Sequence, residues 1–375
     1  MDVGAPSLEG FLVGKTAILG CFIAISFLTS CSTSFLKYEK EDQLQKIDEF
    51  DKAVKIEQPA TPPPAAPAPG ETAPPTAPVV AKPEPVKTKT LIKDVKKTAK
   101  PTPAPKKGKK AEAVAVAAPT RRPPEIEDDA GFNGRRPLVD PFQVGEEVVH
   151  DVTYFKMSAG ELRFKVFPFV KVNDRPAYKL GMAIKTVSLF NSVYSVEDNV
   201  DIFMDYESLI PTVFELHVKE SGQLRESKMF FDNEKHTATF WDRKVTKEDG
   251  VEEKKQHWDI PAYAQNVYSS VFYMRMFKWE VGKEYSFVVA NDKENLVFSG
   301  KALRKEVLDT KLGPMKAIVV QPNITLKGKY KSIGENLIWL SDDEHKYILR
   351  IEAKIKIGTL VSQVVSITPG KPSTP

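Results

Sequence analysis

Thr212-Val213-Phe214-Glu215-Leu216-His217-Val218-Lys219 alternates in type: Thr212, Phe214, Leu216 and Val218 fall on one side, Glu215, His217 and Lys219 on the other. A period of two places the two sets on opposite faces of an extended chain, so the stretch reads as a half-buried β-strand. The pattern recurs upstream in Tyr178, Leu180, Met182 and Ile184, and in Leu162, Phe164 and Val166 set against Arg163 and Lys165. Turn formers punctuate these runs: Ser158-Ala159-Gly160, Asn173-Asp174-Arg175-Pro176, Glu220-Ser221-Gly222, Asp232-Asn233, Asp249-Gly250, Asn291-Asp292, Leu312-Gly313-Pro314 and Ser341-Asp342-Asp343. Short strands joined by polar turns predict an antiparallel meander over 138–375. That much strand exceeds one flat sheet, so the fold class is mainly β, curled into a barrel, open barrel or clam.

One segment breaks the period. Between Ala264 and Phe277, Val267, Val271 and Met274 recur at i, i+4 and i+7 with Tyr268 and Phe272 beside them. This spacing predicts the one main helix of the domain, laid against the sheet or plugging it. Arg275 lies on that otherwise apolar helix and needs a partner or a water-filled site. With Tyr273 it is the candidate ligand-binding pair, the alternative being an ion pair that fastens helix to sheet.

Upstream the composition changes. Residues 59–137 form a linker rich in Pro, Ala and Lys, with blocks such as Pro62-Pro63-Pro64 and Pro101-Thr102-Pro103-Ala104-Pro105. Such a stretch cannot build a core and is expected to be a disordered, partly polyproline II spacer. Between Lys82 and Pro124 it holds thirteen Lys and Arg against three acids, net +10 in a chain whose total is +4. The basicity therefore belongs to the linker, and residues 125–375 are nearly neutral. Nucleic-acid binding is excluded as a reading, because the basic run has neither aromatics nor a fold. Attraction to peptidoglycan, another anionic envelope polymer or lipid head groups fits it, as does plain solvation. Residues 31–58 form a charged, weakly helical segment, with Leu44, Ile47, Ala53 and Val54 near one stripe, expected to be a solvated helix at best.

Residues 1–30 read as a secretory signal. Lys15 supplies a positive flank, Thr16 to Leu28 an apolar run too short to span a bilayer comfortably, and Leu28-Thr29-Ser30 precede Cys31. A short transmembrane anchor is the alternative, and Cys21 is a poorer candidate because the bulky Leu19 stands where a small residue is preferred. The run resembles a bacterial lipoprotein signal, which implies cleavage before Cys31 and lipidation of its thiol. In Gram-negative lipoproteins a non-aspartate at the next position, here Ser32, implies the outer membrane, so the expected place is the cell envelope, lipid-anchored and facing the periplasm. The two cysteines of the chain are then spent, which leaves no disulfide.

The order of parts from Pro141 to about Ile367 resembles the domain of unknown function 3108 family of Gram-negative envelope proteins. Its motifs here are Phe142-Gln143-Val144-Gly145-Glu146-Glu147-Val148, Tyr194-Ser195-Val196-Glu197-Asp198-Asn199-Val200-Asp201, Leu209-Ile210-Pro211-Thr212-Val213-Phe214, Val267 to Arg275, Leu337-Ile338-Trp339-Leu340-Ser341-Asp342-Asp343, and Ile355-Lys356-Ile357-Gly358-Thr359. Asn266 stands where the pattern leads one to expect aspartate. The resemblance implies fold and location and brings no reaction or ligand.

Catalytic patterns are scarce. The histidines at 150, 217, 236, 257 and 345 show no metal spacing, and His217 and His345 read as solvated. Asp198, Asp201 and Asp205 form an acidic cluster without a calcium loop, read as a solvated strand edge. No nucleophile elbow is present, and neither a cofactor nor an enzymatic activity is predicted. Two function classes follow. One is a non-catalytic binding module whose aromatics (Phe164, Phe169, Tyr178, Phe230, Phe240, Trp241, Trp258, Trp339) line a site for an apolar, acyl or glycan ligand. The other is a structural or assembly lipoprotein that contacts cell wall or envelope proteins.

Overall fold

The computed structural model describes residues 47–58, 137, 139–187, 194–326, 329–331, 336–354 and 358–375. The signal, Cys31 and all of the predicted spacer but Pro137 lie outside them. By its contacts the chain divides into Met1–Pro59 with Arg122–Pro375, and Ala60–Arg121; all described residues belong to the first unit. No helix among the described residues is long and apolar enough to cross a membrane.

The domain is mainly β. Its first half is a run of antiparallel neighbours: β2 (Glu147–Tyr154), β3 (Met157–Val166), β5 (Arg175–Thr186), β6 (Val196–Asp205), β7 (Pro211–Glu220), β8 (Gln223–Asp232), β9 (Thr237–Thr246) and β10 (Gly250–Asp259), with the short β4 (Val170–Val172) beside β5. The second half runs through β11 (Glu284–Asn291), β12 (Glu294–Thr310), β13 (Gly313–Leu326), β14 (Lys329–Lys331), β15 (Asn336–Ser341), β16 (Ile348–Lys354) and β17 (Thr359–Thr368). β17 returns to pair with β2, which joins the halves into one sheet.

The main run of ladders ends at β10 on one side and β11 on the other, and among the described residues no ladder joins these two. Side chains bridge the gap instead: Trp258 Nε1 donates to Asn295 Oδ1 at 3.3 Å, Asn295 Nδ2 donates to the Asp259 carbonyl at 2.9 Å, and Lys254 pairs with Asp292. Of the predicted shapes, the closed barrel is not found; the sheet stays open, as in an open barrel or a clam. The gap exists because the chain leaves β10, enters the interior as a helix, and only then resumes as β11.

The alternating residues that predicted strands point into one core. Leu180, Ile202, Leu340 and Val364 are fully buried there with Phe164, Phe298 and Trp339. Each such side chain contributes roughly 1.5–3 kcal/mol by leaving water. Asn173 and Asp174 sit at φ 48° and 66°, as the tight turn between β4 and β5 requires.

Three expectations change. Ser158-Ala159-Gly160 lie within β3 and form no turn. The turn falls two to three residues earlier, on Phe155 and Lys156, at φ 48° and 63°. Gly160 is needed because a Cβ there would meet the Lys185 carbonyl oxygen at 2.9 Å on neighbouring β5.

The second change concerns 47–58, predicted as solvated. Asp48–Ala53 form α1 and Ile56–Glu57 form β1, which pairs with β4 through Ile56 and Val172. Phe50 and Val54 are buried against a patch on the outer face of the sheet made by Val170, Val172, Ala177, Phe203, Val213 and Trp241. The charges read as solvating are in part specific: Trp241 Nε1 donates to Glu49 Oε2 at 3.1 Å, and Lys228 lies 4.7 Å above the Phe50 ring. The third change follows, since Trp241 and Phe230 face this outer patch and line nothing inside.

Candidate functional site

The predicted helix is present as α2 (Val267–Tyr273), continued by a 3-10 turn over Met274–Met276. Asn266 caps it: Oδ1 accepts the backbone N–H groups of Tyr268 and Ser269 at 2.8 and 2.6 Å, and the Ser269 hydroxyl accepts from the Asn266 N–H at 2.9 Å. An amide oxygen thus does the capping expected of an aspartate. Gln265, fully buried and missed by the sequence reading, ties the helix start to the sheet through Leu209 O at 3.0 Å and through backbone bonds with Val288 and Ala290.

Arg275 leaves the 3-10 turn into a closed setting. Its guanidinium donates to both oxygens of Glu146, at 2.6 and 3.0 Å, to Pro141 O at 2.9 Å, and to His345 O at 2.9 and 3.0 Å. It lies between the Phe142 and Tyr347 rings and is 2% exposed, Glu146 1%. Every guanidinium nitrogen is engaged by protein, so the geometry is that of the ion pair fastening helix to sheet. Tyr273 stacks edge-on to Phe277 and Phe287 at 5.9 and 5.2 Å and is equally enclosed. Beside them, burial and the Glu146 charge push the Tyr347 hydroxyl up to about 12.

His150 is fully buried on β2. Its Nε2 is 2.7 Å from the Ile348 carbonyl and must donate, so Nδ1, 2.9 Å from Ser362 Oγ, accepts. Burial holds the imidazole down to about 4, the signature of a neutral core histidine. His345 is half-buried in the turn after β15 and stacked on Tyr347 at 5.1 Å.

A different set of groups occupies the inner face. Val200, Ile202 and Met204 of β6, Phe214, Leu216 and Val218 of β7, Met229 and Phe231 of β8, and Ala238 and Phe240 of β9 all point into the core. The same alternation, carried toward one end of these strands, brings Asp198, Glu220, Arg225, Ser227 and Asp242 to the inner face. Arg225 holds Asp242 with two bonds, at 2.6 and 2.9 Å, and the Ser227 hydroxyl donates to Asp242 Oδ1 at 2.6 Å. Glu220 accepts from the Tyr194 hydroxyl at 2.7 Å and from Gln223 Nε2 at 2.8 Å. Tyr268 reaches in from α2 and rests on the Phe214 ring at 5.4 Å.

The electrostatics show how unlike water this recess is. Burial, then the Glu220 charge, push the Asp198 carboxyl up to about 8, against the opposing Lys219 N–H bond. Burial raises the Tyr268 hydroxyl above its ordinary value, with the Asp198 and Asp242 charges adding and Arg225 opposing. Yet Asp198, Arg225, Tyr268 and the adjoining Val271 keep part of their surface accessible. The predicted acidic cluster therefore separates. Asp198 is inside; Asp201 pairs with Lys179 at 2.8 Å on the outer face; Asp205 caps the β6–β7 turn through Ser208 N at 2.8 Å and holds Arg175 at 2.8 Å. None of the three is a plain solvated edge. No group of three His, Cys, Asp or Glu able to hold a metal occurs among the described residues.

Three solved structures are similar to this chain. One is a β-barrel-like protein of the domain of unknown function DUF1849 from Brucella abortus, at 8% identity and TM-score 0.39, covering 62% of this chain and 100% of that one. A protein from Bacteroides fragilis, provisionally described as exported and with a YmcC-like fold, matches at 10% identity and TM-score 0.28, over 61% of this chain and 97% of that one. A provisionally described lipoprotein from Parabacteroides distasonis matches at 11% identity and TM-score 0.25, over 62% and 100%. No curated protein matches the chain. Residues 149–365, more than half of the sequence, match the model of the family described as Protein of unknown function (DUF3108), and the chain belongs to that family.

Proposed function

We propose that this chain is a lipid-anchored cell-envelope protein that presents a non-catalytic open-barrel binding module, with the recess around Asp198, Glu220, Arg225, Asp242 and Tyr268 as its ligand contact. The observation that carries this reading is the charge on the inner face. Barrel interiors are filled with apolar side chains, and ionisable groups taken out of water cost several kcal/mol unless something compensates them. Here such groups are drawn together under partly accessible tyrosine and valine side chains. Carboxylates, a guanidinium and a tyrosine ring suit a ligand rich in hydroxyl and amino groups, such as an amino-sugar glycan. An acyl chain fits less well, because the apolar interior is built of touching rings: Phe277 on Phe287 at 5.8 Å, Phe287 on Phe298 at 4.7 Å, and Trp279 on Tyr285 at 5.2 Å.

The same packed interior favours the second reading, a structural or assembly lipoprotein that contacts cell wall through its basic linker. Mass spectrometry of small molecules that co-purify with the full chain separates the two. A glycan fragment retained by the parent protein and lost from Arg225→Ala supports the binding module; an empty parent protein favours the scaffold.

The anchor and the outer-membrane, periplasm-facing location are part of the proposal and rest on the sequence around Cys31. Cys31→Ala should leave an uncleaved precursor that takes up no radiolabelled fatty acid. Label still incorporated into that variant overturns the anchor.

A further inference from the structure

The covalent path from Cys31 to the barrel is long, yet the structure offers a shorter one. We infer that residues 47–57 are a strap that holds the barrel close to its anchor and turns the Pro- and Lys-rich segment from a spacer into a loop. The inference rests on the anchoring of Cys31 proposed above.

Fifteen residues lie between Cys31 and Ile47, and the sixteen Cα steps this makes span at most about 58 Å in any conformation. The path through the linker to Glu147 is more than a hundred residues, with a limit of roughly 400 Å. Which limit governs the barrel depends on whether 47–57 stay on it. Several independent contacts hold them. The Phe50 ring meets Trp241 edge-on at 5.8 Å, Lys228 covers its other side, and Val54 is buried beside it. Ile56 and Glu57 add a strand to β4, and Asn173 receives the chain: its Oδ1 accepts from Lys55 N at 2.8 Å and its N–H donates to Lys55 O at 2.9 Å. Glu49 takes Trp241 Nε1 and pairs with Lys255.

A helix of six residues has no stability of its own, so α1 exists because this patch binds it. The patch in turn would leave Trp241, Phe203 and Val213 facing solvent without the strap. Strap and face form a cis interface between the anchor-proximal segment and the barrel.

The test is to cut the loop and ask where the barrel goes. Membranes carrying the full lipidated chain, with Lys37→Gln, Lys40→Gln and Lys46→Gln so that trypsin cannot cut between anchor and strap, are treated briefly with trypsin, for which the ten Lys and Arg between Lys82 and Arg122 not followed by proline offer sites, and sedimented. A docked strap keeps the C-terminal fragment in the pellet although its covalent link is gone. Phe50→Asp puts a carboxylate where a phenyl ring is buried, and the released share should rise roughly tenfold. Equal release from parent and variant overturns the strap. Failure of the uncut chain to sediment would indict the anchor instead. On that same sample a second pair of variants still decides the strap: Ile56→Cys with Val172→Cys, register partners, should form a disulfide joining the two tryptic fragments without reductant. Absence of the cross-link overturns the strap whatever the anchor does.

Discussion

Arg275→Ala should destabilise the barrel by about 3–5 kcal/mol, the cost of stranding a buried carboxylate when its partner is removed. For a domain of this size that is a fall in Tm of roughly 10 °C. The cause is local: Glu146 is 1% exposed and depends on the guanidinium for both its oxygens, while the carbonyls of Pro141 and His345 lose their donors together. Replacing both partners, Arg275→Met with Glu146→Leu, should recover part of the loss, because no charge is then left alone. Urea titrations that shift the midpoint at constant slope would read this out. A single-variant loss below about 1 kcal/mol would mean that the pair behaves as a surface ion pair, contrary to its burial.

Asp198→Asn should make the protein more stable at pH 8 and little different at pH 4. The carboxyl is held at about 8 in the fold against 3.8 for the free group. Below pH 3.8 both folded and unfolded chains keep the proton. Between pH 3.8 and 8 the unfolded chain releases a proton that the folded chain retains, so stability falls as pH rises, and the loss is complete above 8. One unit is about 1.4 kcal/mol, and solvent reaching the recess screens part of the shift, which leaves on the order of 3 kcal/mol. An amide cannot ionise and escapes this loss. His150 acts with the opposite sign: its depressed value of about 4 leaves its contribution intact above pH 6.5 and removes about 3 kcal/mol as pH falls through 4. Urea midpoints at pH 4, 6 and 8 should show an alkaline limb that Asp198→Asn removes and an acid limb that it leaves. Parallel profiles for parent and variant would show that Asp198 does not carry the alkaline limb.

The strands were legible because burial on one face forces alternation, and β7 displays it without interruption. The helix was legible because Val267, Val271 and Met274 repeat at its own period inside a β pattern. Arg275 stood out for the same reason, although its partner Glu146 is far away in sequence and only the fold brings them together. The strap was hidden, since Phe50 is a single ring among charges, and its burial depends on Trp241 and Phe203 from β9 and β6, which only the folded sheet brings onto one patch. Asp198 was visible as one of three acids, but which of them faces inward follows from the phase of β6, which Ile202 and Met204 set. Gln265 and His150 carry no local signal, because their bonds to Leu209, Ile348 and Ser362 are long-range. The turn at Phe155 and Lys156 was misplaced because neither residue is a turn former.

Titration calorimetry of the solubilised full chain with amino-sugar oligosaccharides tests the central claim most directly. The recess predicts saturable binding that Arg225→Ala weakens roughly tenfold to a hundredfold, as expected for the loss of a charged hydrogen-bonding group, while Lys255→Ala, on the outer face, leaves it unchanged. Absence of saturable heat, or binding indifferent to both Arg225→Ala and Asp198→Asn, would contradict it.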